Sequence, residues 1–168
     1  MIITIFYLIL SFILDNLMSF FFPSTLSNIS YFTTIYIIIA FTVIYPYFTN
    51  EKKYYILLIV FGLFFDILYT GRFVLNIFLF LLIGIIIKIL NNIFPVNLFT
   101  NNVISLISIS LYHILTFIIL SISGSIDYEF ILLVNIITHS IIMTIIYTSI
   151  SYFIIKYIFN KFNIKEIK

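Results

Sequence analysis

The chain has few of the residues on which soluble and secreted proteins depend. It has no cysteine, so neither a disulfide framework nor a cysteine-based metal site can form. Only 8% of its 168 residues are charged, whereas soluble domains carry roughly a quarter. The net charge of +2 is too small and too clustered to indicate a nucleic-acid partner. These shortages exclude a soluble globule and argue against a nucleic-acid-binding module.

Hydrophobic residues make up 64% of the chain, and the mean hydropathy is +1.29. The apolar runs are continuous, which excludes the alternating strands of a membrane barrel. A membrane-spanning helix needs about 20 apolar residues. The sequence therefore predicts an all-α, polytopic membrane protein with one transmembrane domain, 1–168, and about six transmembrane helices. The expected spans are about 2–22, 31–49, 54–70, 73–94, 103–123 and 130–155.

The start of the chain is apolar but has neither a basic leader nor a small-residue cleavage site, so we expect a retained first helix. Basic residues then set the orientation. Placing both termini in the cytoplasm leaves Arg72, Asp127 and Glu129 outside. The same orientation puts the following lysines inside: Lys52, Lys53, Lys88, Lys156, Lys161, Lys165 and Lys168. This split requires an even number of spans and supports six.

Asp66 is a carboxylate inside an apolar run, where a charge costs at least about 2.5 kcal/mol. It lies in the outer third of the third span, and Asn76 enters the fourth span at similar depth across the turn at Gly71 and Arg72. The carboxylate can reach Asn76, Arg72 or the free amides that begin the fourth helix. We expect Asp66 to hold this hairpin together, with ion or substrate handling and partner contact as the alternatives.

Two glycines lie where the third and fourth spans can approach closely. Gly62 shares a helix face with Asp66, and Gly84 belongs to the stripe Asn76, Phe80, Gly84 and Lys88. Glycine lets helix backbones come close in a membrane. Core packing is the expected role of this face, with Lys88 reaching toward the membrane surface.

Other polar residues in the apolar spans leave their roles open. Asp15 suits either a buried pairing role or an interfacial position, and His113 and His139 suit hydrogen-bonded packing better than a proton relay or a metal site. Asn135 shares a face with His139. A second polar stripe, suited to contact between helices, contains Ser140, Thr144, Thr148 and Ser151.

The lysine-bearing tail from Lys156 to Lys168 allows a basic helix near lipid headgroups. Orientation and solubility are its simplest role, and contact with anionic lipid or a cytoplasmic partner is the alternative. No catalytic motif is present: the sequence has no HExxH, no glycine-rich phosphate loop and no serine-nucleophile motif. We therefore expect no enzyme activity, no cofactor and no metal.

The stretch from Gly62 to Gly84 resembles the rod shape-determining protein MreD family. The pattern typical of that family is G-L-x-x-D, a short glycine-containing turn, then L-N or L-H, and then L-x-x-L-x-G. In this chain Gly71 lies in the turn. The matching positions are Gly62, Leu63, Asp66, Leu75, Asn76, Leu79, Leu82 and Gly84. Two positions depart from it: Val74 stands where the family often has glycine, and Ile85 where an aromatic is common.

The resemblance implies a non-enzymatic, multi-pass subunit of the elongation complex in the bacterial cell membrane. Its partners would be the single-pass scaffold MreC, the actin-like MreB, and RodA with its transpeptidase. The role would be to position lateral peptidoglycan synthesis and so maintain cell shape. The family is also thought to resemble, in fold, the substrate-binding components of energy-coupling-factor vitamin transporters. The alternative function is thus a transporter component that binds a vitamin-like solute through Asp15, Asp66, Asn76 and His113.

Overall fold

The computed structural model describes residues 1–21, 34–70, 74–124, 130–162 and 167. Within these ranges the chain forms six α-helices and no regular β-strand, so the predicted all-α fold is confirmed. The helices are α1 (Ile2–Phe21), α2 (Tyr36–Ile44), α3 (Glu51–Phe65), α4 (Leu75–Ile93), α5 (Leu98–Ile122) and α6 (Phe130–Lys161). A 3₁₀ turn, Tyr45–Tyr47, extends α2, and a π-helical turn, Asp66–Thr70, extends α3.

Four of the described helices are long and apolar enough to cross a membrane. They are α1, α4, α5 and α6, with 20, 19, 25 and 32 residues. The apolar helix Tyr36–Tyr47 is shorter. The chain therefore has the architecture of a multi-pass, all-α membrane protein, and the count of six crossings stays a prediction.

Several helix ends differ from the predicted spans, and polar caps set two of them, the starts of α3 and α5. Helix α5 begins at Leu98 rather than 103, since Asn97 and Thr100 form a capping box that satisfies the first free amides. Asn50 accepts from the backbone N–H of Lys52 and starts α3 at Glu51 rather than 54. Helix α6 continues to Lys161 rather than ending at 155.

Helix α2 is the centre of the bundle. All nine of its residues, from Tyr36 to Ile44, are buried, and the helix contacts α1, α4, α5 and α6. A helix that is apolar on every side is stable only when protein or lipid surrounds it. Here neighbouring helices surround it, which explains how a helix of only nine residues persists in the core.

One end of the bundle brings together segments that are distant in sequence. Glu51 accepts from Lys88 at 2.6 Å, joining the start of α3 to α4. The N–H of Ile167 donates to the carbonyl of Tyr47 at 2.7 Å, and the hydroxyl of Thr49 donates to the carbonyl of Ile167 at 3.1 Å. These contacts put the α2–α3 connection and Ile167 on one side of the molecule. The cytoplasmic assignment of that side stays a prediction.

Candidate functional site

Asp66 joins the end of α3 to the start of α4. Its Oδ1 accepts from the backbone N–H of Asn76 at 2.8 Å and from the Asn76 side-chain amide at 2.9 Å. Its Oδ2 accepts from the backbone N–H of Ile77 at 3.3 Å. The carboxylate is 1% exposed. We call Asp66, Asn76 and Ile77 the α3–α4 clamp.

The clamp satisfies groups that would otherwise be unpaired in a membrane. The first amides of any helix have no partner within that helix, and hydrocarbon offers them no water. The negative carboxylate also meets the positive end of the α4 dipole. The predicted contacts of Asp66 with Asn76 and with the free amides of α4 are therefore present. Gly71 and Arg72 lie outside the described residues.

Tyr112 ties a third helix to the clamp. Its hydroxyl, on α5, donates to the Oδ1 of Asn76 at 2.7 Å, and its ring packs edge-on against Phe80 of α4. Asn76 is fully buried, so both ends of its amide are used inside the bundle. Sequence reasoning missed Tyr112 because a tyrosine in an apolar run reads as ordinary hydrophobic surface.

Gly62 and Gly84 lie where α3 and α4 touch. A Cβ built on Gly62 would stand 2.8 Å from the Cα of Ile77 and 3.1 Å from the carbonyl oxygen of Asn76. A Cβ on Gly84 would collide with the side chain of Leu58. Both predicted close approaches are present. The one at Gly62 brings the α3 backbone against the very residues that Asp66 holds.

Asp15 forms a second clamp of the same design between α1 and α2. Its Oδ1 accepts from the N–H of Tyr36 at 2.7 Å, and its Oδ2 accepts from the N–H of Ile37 at 3.0 Å. The residue is 7% exposed. Of the two roles left open by the sequence, the structure shows the buried one. We call Asp15, Tyr36 and Ile37 the α1–α2 clamp.

A polar seam on α6 packs beside the α1–α2 clamp. The hydroxyls of Ser11 and Tyr147 share a hydrogen bond of 2.8 Å, and the rings of Tyr147 and Tyr36 meet edge-on at 4.7 Å. Thr34 donates to the Ser140 carbonyl at 2.9 Å. The predicted interhelical stripe is buried along its length: Ser140, Thr144, Thr148 and Ser151.

The two histidines lie on α5 and α6. His139 forms a bond of 2.8 Å between its Nδ1 and the carbonyl of Asn135, one turn earlier on α6. His113 packs its ring against Tyr112. The described residues contain no group of three or more histidine or acidic side chains placed to hold a metal ion.

The lysines at the C-terminal end of α6 are exposed. Lys156 lies 5.6 Å from the ring centroid of Tyr152, and Lys161 lies 5.9 Å from that of Tyr157. Both distances are within the range of cation–π attraction. Lys165 and Lys168 lie outside the described residues.

Comparison with known proteins gave no relative: no family model, no curated protein and no solved structure matches the chain. The site's chemistry must therefore be judged from its own geometry. Two buried carboxylates, each bonded to the first amides of the next helix, can fix helix positions. In this arrangement they act on the protein's own backbone.

Proposed function

We propose that the chain is a non-enzymatic membrane subunit of the bacterial cell-elongation complex, similar to the MreD family. In this role it helps to position lateral peptidoglycan synthesis and maintain cell shape. It acts in the bacterial cell membrane beside an MreC-like single-pass protein, MreB, RodA and its transpeptidase.

The α3–α4 hairpin is the observation that carries this proposal. Four residues of the resembling motif, Gly62, Asp66, Asn76 and Gly84, serve one contact between two helices. A motif whose residues serve rigid helix packing suits a scaffold, because a scaffold must present a fixed surface to its partners.

The solute-binding alternative has less support from the polar groups. A solute site needs several convergent polar side chains that are available to the ligand. Asp15 and Asp66 instead accept from backbone amides, and Asn76 bonds to both Asp66 and Tyr112. Asp15, Asp66 and Asn76 thus have internal partners, and the ring of His113 packs against Tyr112.

Co-purification tests the proposal directly. The tagged chain and the MreC-like protein of the same genome would be co-expressed, extracted in mild detergent and pulled down through the tag. We expect the MreC-like protein to be retained, and depletion of the chain in its host to round and widen the cells. Asn16→Ala, an exposed change on α1, is the matched control and should behave as wild type. Failure of the wild-type chain to retain the MreC-like protein, together with tight binding of a vitamin, would favour the transporter role.

A further inference from the structure

A pocket of about 310 Å³ opens where the α2–α3 connection meets the end of α4. Small-molecule sites range from roughly 300 to 1,000 Å³, so this pocket suits a small group. Most of its lining surface is polar. The side chains that matter for its chemistry are Tyr45, Phe48, Thr49, Glu51, Asn91 and Asn92.

The candidate spans beside the pocket indicate a position at the membrane surface. Helices α4 and α5 are both candidate spans, and the short connection between them, residues 94–97, follows the pocket wall at Asn91 and Asn92. A connection between two consecutive spans must leave the hydrocarbon. Lys52 and Lys53, both near this end, fit the headgroup layer.

The walls combine an acid with aromatic rings, a combination that recognises ammonium groups. The Glu51 carboxylate already accepts from the ammonium of Lys88, and Tyr45 lies within electrostatic reach of both charges. A carboxylate has about four lone-pair directions, so one bond to Lys88 leaves acceptor capacity. Asn92 is exposed, and its side-chain amide can donate to a phosphate oxygen.

Apolar surface continues from the mouth of the pocket along α4 and its connection. Ile89, Ile93, Phe94 and Val96 are 51%, 66%, 42% and 51% exposed. Such surface is stable beside acyl chains. The polar pocket and the apolar surface therefore match the two halves of a phospholipid.

We propose that this pocket binds the headgroup of an aminophospholipid of the phosphatidylethanolamine class. The headgroup ammonium donates to Glu51 and lies against the rings of Tyr45 and Phe48. The phosphate accepts from Asn92. A choline headgroup has no N–H to donate, and a glycerol headgroup has no cation, so both bind less well. The site is independent of any role in cell elongation.

Native mass spectrometry of the purified, full-length chain tests this proposal. The protein would be incubated with equal amounts of phosphatidylethanolamine, phosphatidylcholine and phosphatidylglycerol that carry identical acyl chains. We expect about tenfold more retained phosphatidylethanolamine than phosphatidylcholine, the size of one charge-assisted hydrogen bond that the choline ammonium cannot donate.

The variants separate the pocket from general lipid contact. Glu51→Gln should abolish the preference, Asn92→Ala should weaken it, and Asn16→Ala on α1 should leave it unchanged. Lys88→Gln should preserve or increase it, because the competing ammonium is gone. Equal retention of the ethanolamine and choline lipids would overturn the proposal. So would an unchanged preference in Glu51→Gln, or a preference for phosphatidylglycerol, which would assign lipid selection to the exposed lysines.

Discussion

Asp66 and Asp15 are acidic residues that a bilayer would reject unless each charge had several donors. Asp66 has three N–H donors and Asp15 has two, all from residues that begin the next helix. Charge-assisted bonds of this kind are about twice as strong as neutral ones. The same carboxylate therefore satisfies the free helix amides, and their bonds offset part of the cost of burying it.

Removal of the Asp66 carboxylate should lower stability clearly. Asp66→Ala leaves three buried donors without their acceptor, and we expect a loss of about 2–4 kcal/mol. Asp66→Asn keeps the shape and one acceptor oxygen, so its loss should be smaller. The measurement is the fraction of monodisperse protein that survives heating in detergent, with Asn16→Ala as control. Equal survival of Asp66→Ala and wild type would contradict the clamp.

Substitution of Val74 should raise the stability of the chain. It precedes α4 with φ of 80°, and it is the only described non-glycine residue in that region of backbone conformation. A β-branched side chain is strained there, by about 1–2 kcal/mol. Glycine adopts this backbone conformation with little steric cost. Val74→Gly should therefore raise the midpoint of thermal unfolding, while Val74→Ala should raise it less. A lower midpoint for Val74→Gly would show that the valine is unstrained.

Among the helices, the α3–α4 pair depends on backbone contact, and Asp15 holds the α1–α2 pair beside the polar seam of α6. At Gly62 the facing atoms are backbone atoms of Asn76 and Ile77, which cannot move without shifting α4. At Gly84 the facing atoms belong to the flexible side chain of Leu58. The two glycines therefore tolerate a methyl group to different extents.

Gly62→Ala should destabilise the chain more than Gly84→Ala does, because only the second clash can be relieved by a rotamer change. We expect about 2–3 kcal/mol against about 1 kcal/mol, measured by survival on heating. In a double-mutant cycle, Gly84→Ala should cost less in a Leu58→Ala background than in the wild type, whereas Gly62→Ala should cost the same in both. The reverse order of the two glycine variants would mean that the helix contact is placed wrongly.

The α3–α4 clamp could be predicted because its parts lie close in sequence. Asp66 is a single charge in an apolar run, and a short turn separates it from the amide of Asn76. The α1–α2 clamp could not, since 21 residues separate Asp15 from Tyr36. The start of α5 was predicted at the wrong residue because hydropathy alone does not reveal a helix cap. The spacing Asn97-x-x-Thr100 is a capping signal that could have located it. Tyr147 had a signal too: it lies three residues after Thr144, on the polar stripe of α6.

At the scale of the whole molecule, the described contacts sort the chain into two ends. The end with the α2–α3 connection also holds Lys88 and Ile167. Ser123 and Gly124, which follow α5, lie at the opposite end of that long helix. Since the chain has no cysteine, single introduced cysteines report sidedness without background.

Labelling should therefore divide the single-cysteine variants into two groups. Lys53→Cys, Asn92→Cys and Lys161→Cys should react with a membrane-impermeant maleimide from one side of sealed vesicles. Ser123→Cys should react only from the other side, because one pass of α5 separates it from Asn92. Labelling of Ser123→Cys and Asn92→Cys from the same side would show that α5 does not cross the bilayer.

The most direct measurement of the central claim, that Asp66 locks α3 and α4 together inside the membrane, is disulfide formation between them in native membranes. The pair Leu58→Cys and Gly84→Cys places two thiols where the helices touch, whereas Leu58→Cys with Ile85→Cys puts one thiol on a residue that is 45% exposed. We expect rapid cross-linking of the first pair, little of the second, and a marked slowing of the first when Asp66→Ala is added. Equal rates for the two pairs, or a first pair indifferent to Asp66→Ala, would contradict the claim.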